Sequence, residues 1–265
     1  MTRITADYIS TYKRFWEIDL LRTVGIVMMI IFHTLYLLNY FNIHNTGVPG
    51  VPYEFWWWFP RVTGGAFIFA AGVSLTIAYS RSKRTSGFLL RGLKIFVWGM
   101  GITVLTWLIA PDAYVRFGIL HFFGIAFILA PFFLKFRYMN LILGAALMAL
   151  GIYLLEQRIL VDFPWLLWLG LMPHGFITLD YWPLLPWVGL FLVGMFLGKM
   201  LYPQGNRRLN IHEFSNPVTS ALTLPGRHPL VIYLAQWPIV IGILLALYPA
   251  KVLPYIKEAL SYIPF

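Results

Sequence analysis

The feature that most constrains this chain is a series of long apolar runs that contain no formal charge. They occupy Val62 to Tyr79, Phe117 to Leu134, Tyr138 to Leu155, Tyr181 to Gly198 and His228 to Ala250. Each is close to the ~20 residues that an α-helix needs to cross the hydrocarbon core of a bilayer. A water-soluble fold would have to cover such runs with polar surface, yet only 11% of the residues are charged, against roughly 25% in a soluble domain. The expected fold class is therefore all-α: a polytopic membrane protein with about seven transmembrane helices plus an outer re-entrant segment. The connections are too short for a separate soluble domain, so residues 1–265 are read as a single transmembrane domain.

The expected spans are 18–40, 60–79, 88–110, 117–136, 138–156, 181–201 and 228–250. Lysine and arginine are retained on the cytoplasmic side, which gives these spans an orientation. With the amino terminus inside, the inner positions are Arg3, Lys13, Arg14, Arg81, Lys83, Arg84, Arg91, Lys94, Lys135, Arg137, Lys199, Arg207, Arg208 and Arg227, 14 of the 20 basic residues. Arg61, Arg116, Arg158, Lys251 and Lys257 lie outside, and Arg22 lies within the first span. The run Phe163 to Leu179 is also free of formal charge, but if it crossed, Lys199, Arg207, Arg208 and Arg227 would all move outside. Its Phe163-Pro164-Trp165 start and Pro173-His174-Gly175 break predict a re-entrant or interfacial segment over the outer mouth. Non-helical backbone is tolerated at that depth where it is buried in protein or lines a wet cavity. Trp56 to Trp58, Trp165, Trp168, Trp182 and Trp187 fall near the outer boundary, as an aromatic belt would. Tyr202 to Leu224 is read as the one sizeable cytoplasmic loop. The expected location is the cell membrane, multi-pass, with a cytoplasmic amino terminus and no cleaved signal peptide.

The net charge of +10 would suggest nucleic acid in a soluble protein. Nucleic-acid binding needs a basic groove on a water-facing surface, whereas these charges sit in loops between spans. The chain has no cysteine, which excludes a disulfide frame and a thiolate nucleophile. Phosphate-binding glycine loops, GxSxG and HExxH are absent, and the six histidines do not have metal-ligand spacing, so no metal is expected.

Ionisable side chains inside a span are costly, so each is a functional candidate, and each also has a plainer reading. Asp19 and Arg22 are three apart and share a helix face, which suits either a structural ion pair or a role at a donor site. His33 lies about fifteen residues into the first span, and His44 follows eleven residues later, almost three whole turns, so a continuing helix would put both on one face. A neutral imidazole can take a proton from an amine or hydroxyl and return it to a leaving group; the plainer reading is a core histidine bonded to a carbonyl. His121 sits between Gly118 and Gly124, which let a neighbouring helix approach closely. Arg61, Arg116, His174 and Asp180 lie at the outer side, as snorkelling or solvated groups or as groups that orient a polar acceptor.

Several stretches resemble the heparan-α-glucosaminide N-acetyltransferase catalytic-domain family. They are Arg14-Phe15-Trp16-Glu17-Ile18-Asp19-Leu20-Leu21-Arg22 running on to His33, Phe67 to Leu75 with Gly72-Val73-Ser74-Leu75, and Phe117-Gly118-Ile119-Leu120-His121-Phe122-Phe123-Gly124. Asp180-Tyr181-Trp182-Pro183-Leu184-Leu185-Pro186-Trp187 and Gly226-Arg227-His228-Pro229-Leu230-Val231-Ile232-Tyr233-Leu234 complete the set, in family order over Arg14 to Leu245. The resemblance implies a transmembrane acyltransferase that takes an acetyl group from cytosolic acetyl-CoA and delivers it to a sugar amine or hydroxyl on the far side. In the lysosomal enzyme an Asn on the first helix and a His eleven residues later form the catalytic pair. By that spacing His44 takes the base role and His33 stands where the Asn does, while the wider sugar O-acyltransferases carry a first-helix His more like His33. Many members end the Tyr-Leu motif with a His where this chain has Gln236.

These readings combine into one expectation. His33, His44, His121 and Asp180 are the catalytic candidates. Arg14, Arg22, Arg81, Arg84, Arg91, Lys94 and Arg227 are candidates for the phosphates of acetyl-CoA, the acyl donor. Arg61, Arg116 and His174 are the substrate-binding candidates. The expected partners are the lipid bilayer, acyl-CoA and a sugar or glycolipid acceptor, with no nucleic acid; self-association as a homo-oligomer is left open. The competing class is a transporter or flippase in which the buried His, Asp and Arg form a relay without acyl chemistry, although no internal repeat of the kind common in transporters is evident.

Overall fold

A computed structural model describes residues 14–50, 54–157, 159–214 and 216–262. Arg3, Lys13 and Arg158, which the charge count used, lie outside these residues. The described chain is helical throughout its membrane region, as α1 (Trp16–Tyr40), α2 (Phe55–Ser82), α3 (Ser86–Ile109), α4 (Ile119–Phe133), α5 (Tyr138–Glu156), α6 (Leu184–Leu201), α7 (Pro217–Arg227), α8 (Pro229–Leu247) and α9 (Pro249–Ser261). Six of these, α1, α2, α3, α5, α6 and α8, are long and apolar enough to cross a membrane. The remaining expected span, 117–136, holds α4, an apolar helix of 15 residues, which at 1.5 Å per residue is about 22 Å long. The protein is an all-α integral membrane protein.

The packing is set by small residues. A Cβ on Gly72 of α2 would meet the carbonyl oxygen of Phe191 on α6, and one on Gly194 of α6 would meet that of Phe69 on α2. Gly144 of α5 and Gly189 of α6 stand in the same relation to each other's carbonyls. Backbones can approach this closely only where no side chain intervenes, the usual source of helix association in lipid. Around these seams Ile68, Phe122, Phe191, Leu192 and Met195 form a fully enclosed core shared by α2, α4 and α6. Glycines also seat α3 on α4, with Gly92 against the Gly124 carbonyl and Gly99 against His121.

Three expectations about boundaries change. The first helix does not run on to His44. It ends at Tyr40 in a left-handed turn at Asn42 (φ 52°), where Asn42 N–H donates to Asn39 O and Ile43 N–H donates to Leu38 O. This is the paired bond pattern that closes a helix with a left-handed residue. The expected loop Tyr202 to Leu224 contains the start of α7, where Asn216 Oδ1 accepts from Thr219 N–H at 2.7 Å and Pro217 takes the first position. The last expected span, 228–250, breaks at Tyr248, and Pro249 opens the separate helix α9.

The α5–α6 connection carries only two-residue parallel strands, β1 (Leu160–Val161) and β2 (Met172–Pro173), and one turn of 3₁₀ helix. Its second half lies against the segment that leads into α4: Leu179 N–H donates to Ala113 O and Trp182 N–H to Phe117 O. That pairing lays Asp180 over the first turn of α4.

Candidate active site

A cavity of about 1450 Å³ runs through the molecule between α1, α2, α3, α4 and α8. At one end it is lined by Arg14, Asp19, Arg22, Arg81, Arg91 and Arg227. α1 supplies Asp19 and Arg22, one turn apart. Arg22 donates to Asp19 Oδ1 at 3.1 Å and to Ser74 Oγ of α2 at 2.6 Å. Arg14 and Arg227 stand 3.7 and 3.9 Å from Asp19 Oδ2. Arg227 reaches this place because α7 packs on α1, with Gly226 N–H donating to Thr23 Oγ1 at 2.9 Å. Arg81 is largely engaged, donating to Gly205 O at 3.0 and 2.8 Å, and Arg91 lies 5.3 Å over the Phe127 ring. Three arginines thus share one buried carboxylate, with Arg81 and Arg91 nearby on the same lining, which leaves excess positive charge facing the cavity.

Farther along α1, His33 lines the same cavity. Its ring lies 4.8 Å from that of Trp237 on α8, and its Nδ1 is buried without a hydrogen-bond partner among the described residues. The side chain of Gln236 approaches His33, yet neither atom of its amide completes a bond of ordinary geometry. Buried polar atoms are almost always satisfied, so three unsatisfied atoms beside a cavity mark a place where a ligand or water would bind.

The cavity is also lined by Arg61, Tyr36, Asp180, Trp182 and Tyr233. Asp180 Oδ2 accepts from Ile119 N–H at 2.9 Å, capping α4 from a distant part of the chain. Burial lifts its carboxyl to about 6, against the Ile119 amide, the Trp182 side chain and the Tyr181 amide, which favour the charged form. Arg61 donates to Trp57 O at 2.6 Å and stacks 3.6 Å over the Trp57 ring.

The remaining candidates fall elsewhere. His44 is exposed in the turn after α1 and does not line the cavity. His121 is buried on the α3–α4 seam with both nitrogens occupied: Nδ1 accepts from Gly118 N–H at 3.1 Å and Nε2 lies 3.3 Å from Thr103 Oγ1, whose own proton goes to Val115 O at 2.7 Å. Such a ring braces the turn into α4 and has no free nitrogen for a substrate. Arg84 and Lys94 are exposed and lie off the cavity wall. Arg116 packs 4.8 Å from the Tyr114 ring and 5.3 Å from the Phe176 ring, also away from the cavity. His174 is two-thirds exposed, 3.7 Å from Asp162. Among the described residues no group of three or more His, Cys, Asp or Glu could hold a metal ion. Sequence reasoning missed Ser74, Tyr233 and Trp237 as site residues. The i, i+3, i+4 spacing of Tyr233, Gln236 and Trp237 within an otherwise aliphatic span was the available signal.

Residues 14–238 match the family described as heparan-alpha-glucosaminide N-acetyltransferase, catalytic, and the chain belongs to that family. No curated protein and no solved structure matches the chain.

Proposed function

From membership of an N-acetyltransferase catalytic family, we propose that this protein is a transmembrane acyltransferase that uses acetyl-CoA as donor and a sugar amine or hydroxyl as acceptor. The observation that carries the reading is the single cavity that joins four arginines to His33 and Asp180. The arginine end faces the cytoplasm in this reading, with Arg14, Arg22, Arg91 and Arg227 holding the donor's phosphates, since guanidinium groups pair with phosphate in bidentate fashion. The pantetheine arm then extends between the helices and brings the thioester to His33.

His33 takes the proton from the acceptor as its nitrogen or oxygen attacks the thioester carbonyl carbon. The C–S bond breaks, and the departing thiolate of coenzyme A takes that proton from the imidazolium, so protons and electrons balance within the site. Gln236 orients the ring. Asp180 accepts hydrogen bonds from the acceptor's remaining hydroxyls, and Arg61 and Tyr233 flank it. A positioned general base typically contributes ~10²–10⁴-fold to a rate.

The test is transfer from radiolabelled acetyl-CoA to glucosamine and glucoside acceptors by purified protein in lipid nanodiscs. Acetylated sugar, abolished in His33→Ala and retained in His44→Ala, is the expected result. Label that never leaves coenzyme A with any acceptor, together with solute movement across proteoliposomes, would place the protein with the transporters instead.

A further inference from the structure

The wall of the cavity made by α3 and α8 is unlike the rest. The inward face of α3 presents Ile95, Ile102 and Leu105, and that of α8 presents Leu234, Trp237 and Ile241, all lining the cavity. Both faces border the open volume of the cavity. α8 packs on α1, α7 and α9, and α3 packs on α4. Among the described residues no extensive contact joins α3 to α8, and α9 touches both, with Tyr255, Ile256 and Leu260 on the cavity. The outward surfaces on either side of this gap, Val97 and Val104 on α3 and Ile239 and Ile243 on α8, are exposed and aliphatic, so the gap opens onto the bilayer. In lipid such faces gain little by closing on each other, and a gap between them beside a bilayer suits an occupant that is itself apolar.

We propose that the gap between α3 and α8 is a side entrance for a membrane-borne acceptor, a sugar or amine headgroup on a hydrocarbon tail, with α9 as the strap across its mouth. The inference rests on the acyl-transfer reading above and names the acceptor class. The headgroup takes the polar part of the lining at Asp180, Arg61 and Tyr233, and the tail leaves through the α3–α8 gap into the lipid. The family's acetyl group is too short to fill the gap, which leaves the aliphatic wall to the acceptor. The volume also exceeds the ~300–1,000 Å³ of a site built for one drug-sized ligand, which suits two substrates present together.

The experiment compares methyl and dodecyl β-glucosaminide as acceptors in phosphatidylcholine nanodiscs, with acetyl-CoA and palmitoyl-CoA as donors, for the parent chain and Leu105→Trp. Partition of the tail from water into the nanodisc raises the local acceptor concentration about tenfold for every two methylenes, a gain that an acceptor entering from the lipid can use. Dodecyl glucosaminide is therefore expected to exceed the methyl compound by at least that factor, and Leu105→Trp is expected to collapse the ratio. A dodecyl glucosaminide carrying a diazirine at the end of its tail gives a readout that needs no catalysis: label is expected in peptides from α3, α8 and α9.

Equal use of both acceptors, with label scattered over the lipid-facing helices, overturns the side entrance and leaves the acyltransferase intact. A preference for palmitoyl-CoA that Leu105→Trp removes gives the gap to a long acyl chain and overturns the proposal. Because the chain has no cysteine, Val104→Cys on the outer face of α3 reports a second copy: bismaleimide cross-linking of this variant into dimers that exclude the diazirine probe overturns it as well. Absence of transfer with every donor and acceptor defeats the acyltransferase reading itself, and the proposal falls with it.

Discussion

The α2–α6 seam and the α3–α8 wall are both made of apolar helix faces, but only the first is closed. In α2 and α6, 56% and 61% of the most apolar 18-residue stretch is buried inside the protein; in α3 and α8 the figures are 17% and 11%. Composition does not explain the difference, because α8 has the highest hydropathy of the six. Backbone access does: α2 and α6 meet glycine to carbonyl, whereas α8 carries Trp237 and Leu234 toward the cavity and Gly242 of α8 meets no neighbour. In lipid, apolarity alone does not bring helices together, so close packing follows small residues and open space follows large ones. The closed seam therefore holds the fold, and the open wall borders the proposed site.

Substitutions should separate the two regions. The largest expected effect is on the open side: His33→Ala lowers transfer by ~10²–10⁴-fold while thermal unfolding in detergent stays close to the parent's, and His44→Ala keeps the parent's rate. A His44→Ala variant as dead as His33→Ala would reverse the assignment of the base. Next comes the closed side, where Gly72→Val drives a side chain into the Phe191 carbonyl; overpacking typically costs ~1–3 kcal/mol and occasionally more, and this position belongs at the upper end. Leu105→Ala, on the open wall, should stay within about 0.5 kcal/mol in the same melt. Equal losses for the two would erase the distinction.

Asp180 gives a pH signature. Its folded carboxyl titrates near 6, above the usual 3.8, so its contribution to stability is complete below the unfolded value and is lost as pH rises through about 6. Above that pH the buried charge is a burden on the fold. Transfer by the parent should fall as pH drops through about 6, roughly tenfold per pH unit at the limit. Asp180→Asn should lack that limb, transfer slowly at all pH values, and melt no lower than the parent at pH 7.5. The smallest effect is expected at the arginines: Arg91→Ala or Arg227→Ala removes one exposed charge worth up to ~1 kcal/mol, which raises KM for acetyl-CoA a few-fold with little change in kcat.

Much of this comparison was legible in the sequence. Charge-free runs placed the spans, the three-residue interval placed Asp19 against Arg22, and the paired glycines placed His121 on a helix seam. The site was only half legible, because a sequence pattern gives a face and not the element at which the face ends. His33 and His44 share a helical phase, but Asn42 adopts the left-handed conformation that terminates α1, and asparagine is among the few residues that do so at low cost. Lys94 is as basic as Arg91 yet lies off the cavity wall, a difference set by rotation along α3, and Arg84 sits in the α2–α3 connection; charge counting ignores both. The start of α7 was readable: Asn216 before Pro217 is a helix signal, masked by the polar character of the surrounding stretch.

The bond from Arg22 to Ser74 has a further consequence. A guanidinium carries five N–H groups, and the described contacts to Asp19 and Ser74 use two. In the proposed reading an incoming phosphate would take N–H groups that these ties leave over, without releasing either, so the first two helices would stay clamped while the donor loads and leaves. One side chain would then work as rivet and as receptor at the same time, and the cycle of binding and release need not disturb the scaffold it passes through.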